Sequence, residues 1–216
     1  MSITITRIES QKRRKNRYSI FSGDQFITGV SDQTLLEFNL HTGKKLTEKK
    51  LDKINEREDY LRLREQALRY LARRAHSKRE MKTKLSQKGF DSYKIIQIIA
   101  ELEQKKYLDD AHFARVFIQD EIRLKKTGPL RIRQKLREKG IDKELAEQLL
   151  HLLYPEDLQT IHAAELAQKK VKNLTAQPVA KKQTQLANYL KNKGYTWHIT
   201  GHIIQQLTGE LSDERE

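Results

Sequence analysis

Three short stretches of the chain repeat one pattern: LSQKGF (Leu85–Phe90), LREKGI (Leu136–Ile141) and LKNKGY (Leu190–Tyr195). The three glycines, called the stop glycines below, lie 51 and 54 residues apart along the chain. When they are aligned, all three copies have apolar residues at eight and four positions before the glycine and at one, nine, ten and thirteen after it. Agreement at so many offsets favours a three-fold internal repeat over chance similarity among helices rich in Leu and Lys.

The spacing predicts one helix before each glycine and another after it. Apolar residues four apart lie on one helical stripe, and glycine ends a helix because it adopts a left-handed conformation without a Cβ clash. Two positions after the glycines stand Asp91, Asp142 and Thr196, all of types that cap helix N-termini. With a further apolar helix before each pair, one repeat is a helix, a turn, a second helix, a glycine stop and a third helix.

The start of the second helix has a separate signal in each copy. Residues 77–80 (SKRE) form a capping box, with Ser first and Glu three residues later. At the same offset the second copy has Gly128-Pro129, with proline at the first helical position. The third copy departs, because its proline, Pro178, stands sixteen residues before the glycine.

The pattern predicts a mainly all-α protein, with three tandem three-helix, helix-turn-helix-like repeats in an elongated curved array after a small β-containing extension. The expected divisions are 1–46 for a small β-meander with a short helix, 47–108 for a linking helix plus repeat 1, 109–153 for repeat 2, 154–208 for repeat 3, and 209–216 for a disordered acidic tail.

The extension is predicted from alternating apolar residues, as at Ile3 and Ile5, with a Gly-Asp turn at Gly23. Ser31 is expected to cap its short helix. The linking pattern from Thr47 fits one long helix, or two that break between residues 56 and 59.

Composition restricts the class of protein. The 216 residues include no cysteine, no apolar stretch of membrane-spanning length and no signal-peptide core in MSITITRIES. We therefore expect a cytoplasmic monomer without a membrane segment. The net charge is +14, and residues 61–108 hold 13 Lys and Arg against 5 Asp and Glu. This concentration indicates a polyanionic partner, either nucleic acid or an acidic protein surface, with a solvated helix face as the simpler alternative.

Two clusters of cations are the candidate binding residues. They are Arg69, Arg73, Arg74, Lys78, Arg79 and Lys82 in repeat 1, and Lys125, Lys126, Arg131, Arg133 and Lys135 in repeat 2. We expect them on polar helix faces, so that joint charge reversal at residues 73, 74, 78 and 79 leaves folding intact.

No pattern predicts catalysis, a metal site or a bound cofactor. Neither a G-x-x-x-x-G-K-[ST] nor a G-x-G-x-x-G phosphate loop is present. His198 and His202 stand four apart on a predicted helix, but without a third ligand they are expected to be surface residues rather than a metal site. Asp109-Asp110 is expected to cap the helix from Ala111.

Four aromatic residues remain open to two interpretations. They are expected to pack between the repeats, with stacking on nucleic-acid bases as the alternative. These residues are Tyr70, Tyr107, Tyr154 and Trp197.

The chain resembles the RecX family of recombination regulators. The resemblance rests on the stretches at 67–90 (ALRYLARRAHSKREMKTKLSQKGF), 107–122 (YLDDAHFARVFIQDEI) and 128–141 (GPLRIRQKLREKGI). It covers about residues 60–207 and is looser in the third repeat, above all at 175–180. The β-containing extension resembles that of longer members from Gram-positive bacteria.

The resemblance implies a non-enzymatic regulatory protein. Its partners would be the filament of the RecA recombinase on single-stranded DNA, together with single- and double-stranded DNA itself. It would suppress ATP hydrolysis and strand exchange by RecA, in DNA repair and control of the SOS response. The alternative is a stand-alone DNA-binding regulator that uses the repeats as helix-turn-helix modules.

Overall fold

The computed structural model describes residues 2–12, 15–174 and 178–213, with only the backbone described for 208–213. In the N-terminal part the elements are β1 (Ser2–Thr4), β2 (Arg7–Ser10), β3 (Arg17–Ser22), β4 (Gln25–Ser31), α1 (Asp32–Glu37) and β5 (Lys45–Thr47). The helices that follow are α2 (Glu48–Leu71), α3 (Lys78–Ser86), α4 (Ser92–Gln104), α5 (Asp110–Lys125), α6 (Pro129–Glu138), α7 (Lys143–Leu153), α8 (Glu156–Val171), α9 (Val179–Lys193) and α10 (Trp197–Asp213). A 3-10 turn, Lys172–Leu174, follows α8.

The helices from α2 onward form three consecutive groups of three, which confirms the predicted helical repeats after a small β region. The stop glycines lie between the second and third helix of each group, with φ angles of 79°, 77° and 93° at Gly89, Gly140 and Gly194. These are left-handed conformations, in which glycine has no Cβ to clash.

The predicted caps of the third helices are also present. Asp91 and Asp142 each accept two backbone N–H bonds from the first turn of the helix that follows. Thr196 Oγ1 lies 3.5 Å from the N of Ile199 at the start of α10. The polar residue two positions after each stop glycine therefore satisfies donors that the new helix leaves unpaired.

The chain forms two compact units. One comprises Met1–Ala72 and Lys84–Glu101, and the other comprises Arg73–Thr83 and Leu102–Glu216. The division falls inside repeat 1, within α3 and again within α4.

In the first unit, strands β2, β3 and β4 form the antiparallel meander, and Gly23-Asp24 make its two-residue turn between the paired Ser22 and Gln25. The strand that contains Ile3 does not join this meander. It pairs instead with β5, Ile3 opposite Leu46, in a separate two-stranded sheet. Strand β5 has no signal in the sequence, because three residues are too few to show alternation and the strand exists through its pairing with β1.

The linking segment is one continuous helix, α2, through the region where a break was considered. Its Glu58 is buried, and one carboxylate oxygen accepts bonds from Ser31 N at 2.7 Å and Ser31 Oγ at 2.8 Å. Arg17 lies 3.0 Å from the other oxygen. Ser31 is also the N-cap of α1, where its side chain accepts a bond from Thr34 N as predicted. Glu58 thus anchors the sheet and α1 on α2.

The second unit has one core for each of its complete repeats. Repeat 2 buries Phe113, Ala114, Ile118, Ile122, Ile132, Leu136, Ile141, Ala146, Leu149, Leu150 and Tyr154. Repeat 3 buries Ala163, Ala167, Leu186, Leu190, Tyr195, Ile199 and Ile203. The apolar residues at the aligned positions around the glycines make up much of both cores. This shared role explains why the same positions are apolar in each repeat.

A backbone joint connects repeat 3 to repeat 2. Gly128 N donates to Lys193 O at 2.8 Å, and Leu130 N donates to Gly194 O at 3.0 Å. Arg131 Nη1 donates to Asn192 O at 2.8 Å. The first turn of α6 therefore satisfies the last carbonyls of α9, so that the positive end of one helix dipole faces the negative end of the other.

A similar joint connects the end of α6 to the start of α3. Ser77 Oγ donates to Lys139 O at 2.7 Å, and Lys139 Nζ lies 2.5 Å from Glu80. Glu80 N donates to Ser77 Oγ, as the capping box predicts, but its carboxylate pairs with Lys139 and Arg74 instead of returning to the backbone of Ser77. The box thus fastens two repeats together.

Close packing at the joints excludes larger residues. A Cβ on Gly128 would lie 2.3 Å from the carbonyl carbon of Gly194, and a Cβ on Gly194 would lie 2.5 Å from Arg131 Cβ. A Cβ on Gly140 would lie 2.7 Å from the side chain of Arg79, whereas one on Gly89 would meet nothing within 4 Å. The stop glycines are thus equivalent in backbone conformation but not in surroundings.

Helix α10 is described as far as Asp213, and the disordered tail expected from residue 209 remains a prediction. Residues 214–216 lie outside the described part, as do 175–177 in the loosely matching segment before α9 and 13–14 in the basic β2–β3 loop.

The glycines allow a matched test of the joint. Gly89→Ala should lower the free energy of unfolding by about 1 kcal/mol, from the left-handed conformation alone. Gly194→Ala should lower it by about 2–4 kcal/mol, because overpacking against Arg131 is added. Gly201→Ala, inside α10 with nothing within 4 Å, should instead stabilise by about 0.5–1 kcal/mol. Urea denaturation measures all three, and equal losses at Gly89 and Gly194 would contradict the joint.

Candidate functional site

Most of the candidate cations are held in ion pairs. Seven of the eleven have a carboxylate within 4.0 Å: Arg69, Arg74, Lys78, Lys125, Lys126, Arg133 and Lys135. Within the described residues, the remaining four, Arg73, Arg79, Lys82 and Arg131, have no ion pair. The candidates therefore divide into structural charges and charges that face solvent.

In repeat 1, Lys78 is a structural charge. Its Nζ lies 2.8 Å from Glu103 Oε1 and 3.9 Å from Asp110 Oδ2, and its backbone N donates to Asp110 Oδ1 at 2.8 Å. The hydrogen bond to Glu103 raises the pKa of Lys78 above its ordinary value. Joint charge reversal that includes Arg74 and Lys78 would break ion pairs of this kind, so we expect it to lower the stability of the fold. Arg74 pairs with Glu80 in the joint.

The other cations of repeat 1 are more exposed. Arg73 and Lys82 face solvent, and Arg79 lies over Gly140 in the joint. Arg69 is paired with Glu65 across one helical turn at 2.5 Å, and both side chains are largely exposed. An exposed pair of this kind is worth less than about 1 kcal/mol and opens readily for a partner.

In the second unit, the structure brings three candidates of repeat 2 into one groove at the joint of repeats 2 and 3. The groove is called the joint groove below. Its lining residues are Leu124, Lys125, Thr127, Arg131, Lys135, Tyr189, Asn192 and Lys193.

Glu121 forms the base of this cluster. Its side chain is 2% exposed, and it accepts bonds from Lys125 Nζ at 2.7 Å, Lys135 Nζ at 2.6 Å and Thr127 Oγ1 at 2.8 Å. Burial acts to raise the pKa of Glu121, but these three bonds outweigh it and lower the pKa to about 2. The carboxylate is thus ionised at neutral pH, and it fixes two lysines at the groove wall.

The joint groove has a positive balance. Lysines 125, 135 and 193 and Arg131 supply four positive charges, and Glu121 offsets one of them. Tyr189 adds an aromatic ring, with Lys170 Nζ and Lys193 Nζ each 5.8 Å from its centroid. Leu124 is 66% exposed. Cations beside an aromatic and an apolar side chain suit a phosphodiester strand or an acidic protein segment.

Sequence reasoning missed Tyr189, Lys193 and Asn192. Each lies within five residues of the third stop glycine, whereas the other half of the groove lies 54–69 residues earlier in the chain. The joint brings the two halves together, so no local pattern marks the groove. Lys126 and Arg133 are not in its lining, because Lys126 pairs with Glu165 of α8 and Arg133 pairs with Glu147 of α7.

The first unit has a second basic groove. Its lining includes Lys15, Arg17, Arg62, Arg64, Arg69 and Phe90. All four of these arginines have a carboxylate within 4.0 Å: Arg17 pairs with Glu58, Arg62 with Asp59, Arg64 with Glu101, and Arg69 with Glu65. This groove therefore has less unbalanced positive charge than the joint groove, and it contains one predicted site residue, Arg69.

The aromatic candidates have different environments. Tyr154 is buried as expected, and its hydroxyl lies 3.1 Å from the hydroxyl of Tyr195, which donates to Lys126 O. Tyr107 is 57% exposed and Trp197 is 77% exposed, so the packing expectation is wrong for these two.

The remaining sequence candidates have structural surroundings. Asp109 caps α5 by accepting bonds from the backbone N of Ala111 and His112, as predicted. His198 Nε2 lies 3.6 Å from an exposed carboxylate oxygen of Glu156. In the described part of the chain, no group of three or more His, Asp or Glu residues could hold a metal ion. None of the described helices is both long and apolar enough to cross a membrane.

Comparison with known proteins identifies the family. Three family models match: the N-terminal domain of the regulatory protein RecX over residues 3–47, the first three-helix domain of RecX over 64–102, and the second over 109–150. A regulatory protein RecX of Lactobacillus delbrueckii subsp. bulgaricus is 30% identical over 216 residues, which cover 98% of this chain and 78% of that one. The chain belongs to the RecX family.

Other RecX proteins agree over nearly the whole length. The regulatory protein RecX of Clostridium tetani is 28% identical over 205 residues, 94% of each chain. A crystal structure of regulatory protein RecX aligns with a TM-score of 0.73 at 26% identity, covering 93% of this chain and 98% of that one. The crystal structure of RecX from Lactobacillus salivarius aligns with a TM-score of 0.63 at 28% identity, covering 69% and 96%. These relatives are regulatory proteins by name.

The buried carboxylate predicts a pH dependence of stability. Because the pKa of Glu121 is lower in the folded than in the unfolded chain, its contribution is present above about pH 4.5 and is lost as the pH falls toward 2. Glu121→Gln should lower the free energy of unfolding by about 2–4 kcal/mol at pH 7 and flatten its decrease below pH 4.5. Urea titrations between pH 7 and 3 measure both effects. The exposed variant Glu65→Gln is the control, and an equal loss in that control would contradict the assignment.

Charge reversal should separate structural from exposed cations in repeat 1. Lys78→Glu places a third carboxylate beside Glu103 and Asp110 and should lower the free energy of unfolding by about 1–2 kcal/mol. Lys82→Glu, one turn further on an exposed face, should change it by less than about 0.5 kcal/mol. Thermal unfolding of both variants measures the difference, which should disappear if Lys78 is also a free surface charge.

Proposed function

We propose that the protein binds the RecA filament on single-stranded DNA and lowers its rates of ATP hydrolysis and strand exchange. It would thereby act in recombinational DNA repair and in control of the SOS response. The observation that carries the proposal is the joint groove, a concentration of positive charge in a chain of the RecX family. We place the activity in the cytoplasm, in keeping with the cysteine-free composition, and we propose that the protein acts as a monomer.

The chemistry of the groove supports a filament as the partner. A RecA filament presents both a phosphodiester strand and protein surface along one path. Lysines and Arg131 in the groove would contact phosphates or carboxylates, and Leu124 and Tyr189 would contact less polar groups. Electrostatic contacts with a polyanion release counterions, so binding should weaken steeply as salt is raised.

A binding mechanism accounts for inhibition without catalysis. RecA hydrolyses ATP between neighbouring protomers, and a helical protein wedged at that junction changes its geometry. The ion pairs around Glu121 keep Lys125 and Lys135 in fixed positions before binding, so less side-chain entropy is lost when the partner arrives.

The alternative is a sequence-specific helix-turn-helix regulator. The third helices of the repeats, which would be the recognition helices, support it less well. A recognition helix in the major groove needs several polar or basic side chains that reach base edges. Helix α4 has one cation, Lys94, and it pairs with Asp59 at 2.9 Å. Helix α7 has Lys143 beside two glutamates, and α10 has neither Lys nor Arg. The excess charge lies on the second helices and at the joints.

The test combines RecA activity with a matched pair of variants. The protein, titrated into RecA on single-stranded DNA, should lower ATP hydrolysis and strand exchange. The variant Lys193→Ala should weaken this inhibition about tenfold, from one lost charge contact of about 1–2 kcal/mol. The control, Lys49→Ala, removes an exposed lysine of α2 that has no ion pair within the described residues.

The outcomes separate the hypotheses. An unmodified protein without effect on RecA at stoichiometric ratios contradicts the proposed function. Equal inhibition by groove and control variants contradicts the role of the groove. Footprinting on genomic fragments tests the alternative, which requires a preference of about a thousandfold or more for one duplex sequence.

A further inference from the structure

The second helix of repeat 1 ends at a stop glycine, the same structural element that docks repeat 2 on repeat 1 and repeat 3 on repeat 2. In each internal joint, the carbonyls around the stop glycine accept bonds from the start of a helix that begins with a small residue, Ser77 or Gly128. The corresponding carbonyls of repeat 1 belong to Gln87, Lys88 and Gly89. Among the described residues, none donates a hydrogen bond to any of the three.

The surroundings of this end are open. Residues 87, 88 and 89 are all exposed, and a Cβ built on Gly89 would meet nothing within 4 Å. The apolar residue after the glycine shows the same contrast. Ile141 and Tyr195 are 5% and 2% exposed, whereas the equivalent Phe90 is only partly buried. Repeat 1 therefore has the docking element of the joint without its partner helix.

We propose that the end of α3 at residues 87–90 is a docking site for the N-terminus of a helix in a protomer of the RecA filament. This inference rests on the proposed function, because it names the protein surface that the filament contributes. By the chemistry of the internal joints, the docked helix begins with Ser or Gly. As in the joint of α6 with α3, where Glu80 pairs with Lys139, we expect an Asp or Glu in its first turn that pairs with Lys88.

The chemistry of the site favours a helix start over nucleic acid. Free carbonyls at the end of a helix have partial negative charge and accept N–H donors, so they repel a phosphate and attract the positive end of another helix dipole. Lys88 adds a cation for an acidic side chain. The close approach that a stop glycine permits suits the start of a helix, since Gly194 packs on the backbone of Arg131 and Gly140 packs on Arg79.

A second copy of this chain offers no equivalent helix start. Ser77 and Gly128 are already bonded in the internal joints. Helix α9 has no small residue at the matching position, because Lys182 stands twelve residues before its stop glycine and is 4% exposed. The second helices of another copy are therefore excluded as the occupant, and the proposed function assigns the site to a helix of the filament.

The first test is charge reversal at the site. Lys88→Glu should weaken binding to RecA filaments on fluorescent single-stranded DNA by about tenfold, since it replaces an attractive pair by a repulsive one. The control Lys53→Glu makes the same charge change at an exposed lysine of α2 and should bind as the unmodified protein does. Equal binding by both variants would overturn the inference, and weakening by both to the same extent would do so as well, because it indicates a general charge effect.

The second test maps the contact. A photo-crosslinking residue at position 87 of the full chain should link to the first turn of a RecA helix that begins with Ser or Gly. If the protein still binds the filament, crosslinks to DNA alone, to a second copy of this chain or to no partner would overturn the inference. Absence of filament binding by the unmodified protein is a different result, which contradicts the proposed function and this docking site together.

Discussion

The structure depends on one backbone contact, in which the last carbonyls of a helix that ends at a stop glycine receive the first turn of a helix in the preceding repeat. In the joint of repeats 2 and 3 the contact needs glycine on both sides, since a Cβ on Gly194 or on Gly128 would overlap the facing helix end. Because both helix ends would otherwise have unpaired polar groups, each joint satisfies donors and acceptors in one step. The three-helix units, each with a small core, are thereby made into a continuous body in the second unit.

The joint also creates the candidate site. It brings Arg131 from α6 beside Asn192 and Lys193 at the end of α9, while Glu121 holds two lysines at the same edge. A buried carboxylate with three hydrogen bonds is both a structural anchor and a means of fixing positive charge. The site and the stability of the repeat stack therefore depend on overlapping residues, and the surface lysines, such as Lys193, are the ones that can be changed without loss of the fold.

Much of the fold could be predicted from the sequence because its signals are local. The positive φ at Gly89, the cap at Asp142 and the start of α6 at Pro129 each depend on residues within a few positions. The strand β5 could not be predicted, because it depends on pairing with β1 more than forty residues away. The site was predicted only in part for the same reason. Lys125 and Lys135 were identified by their charge, but the charge of a residue does not reveal whether a buried glutamate lies beside it.

The sequence by itself determined the repeat, the helix ends and the family resemblance, because periodicity, glycine and capping residues act through neighbouring backbone atoms. Only the tertiary structure decided which cations are structural and which face solvent, since Lys78 and Lys82 differ only in what lies opposite them. It also distinguished the three stop glycines. A Cβ on Gly140 or Gly194 would meet a residue of another helix, and one on Gly89 would meet nothing within 4 Å, because only a packed neighbour can turn the same local conformation into a joint.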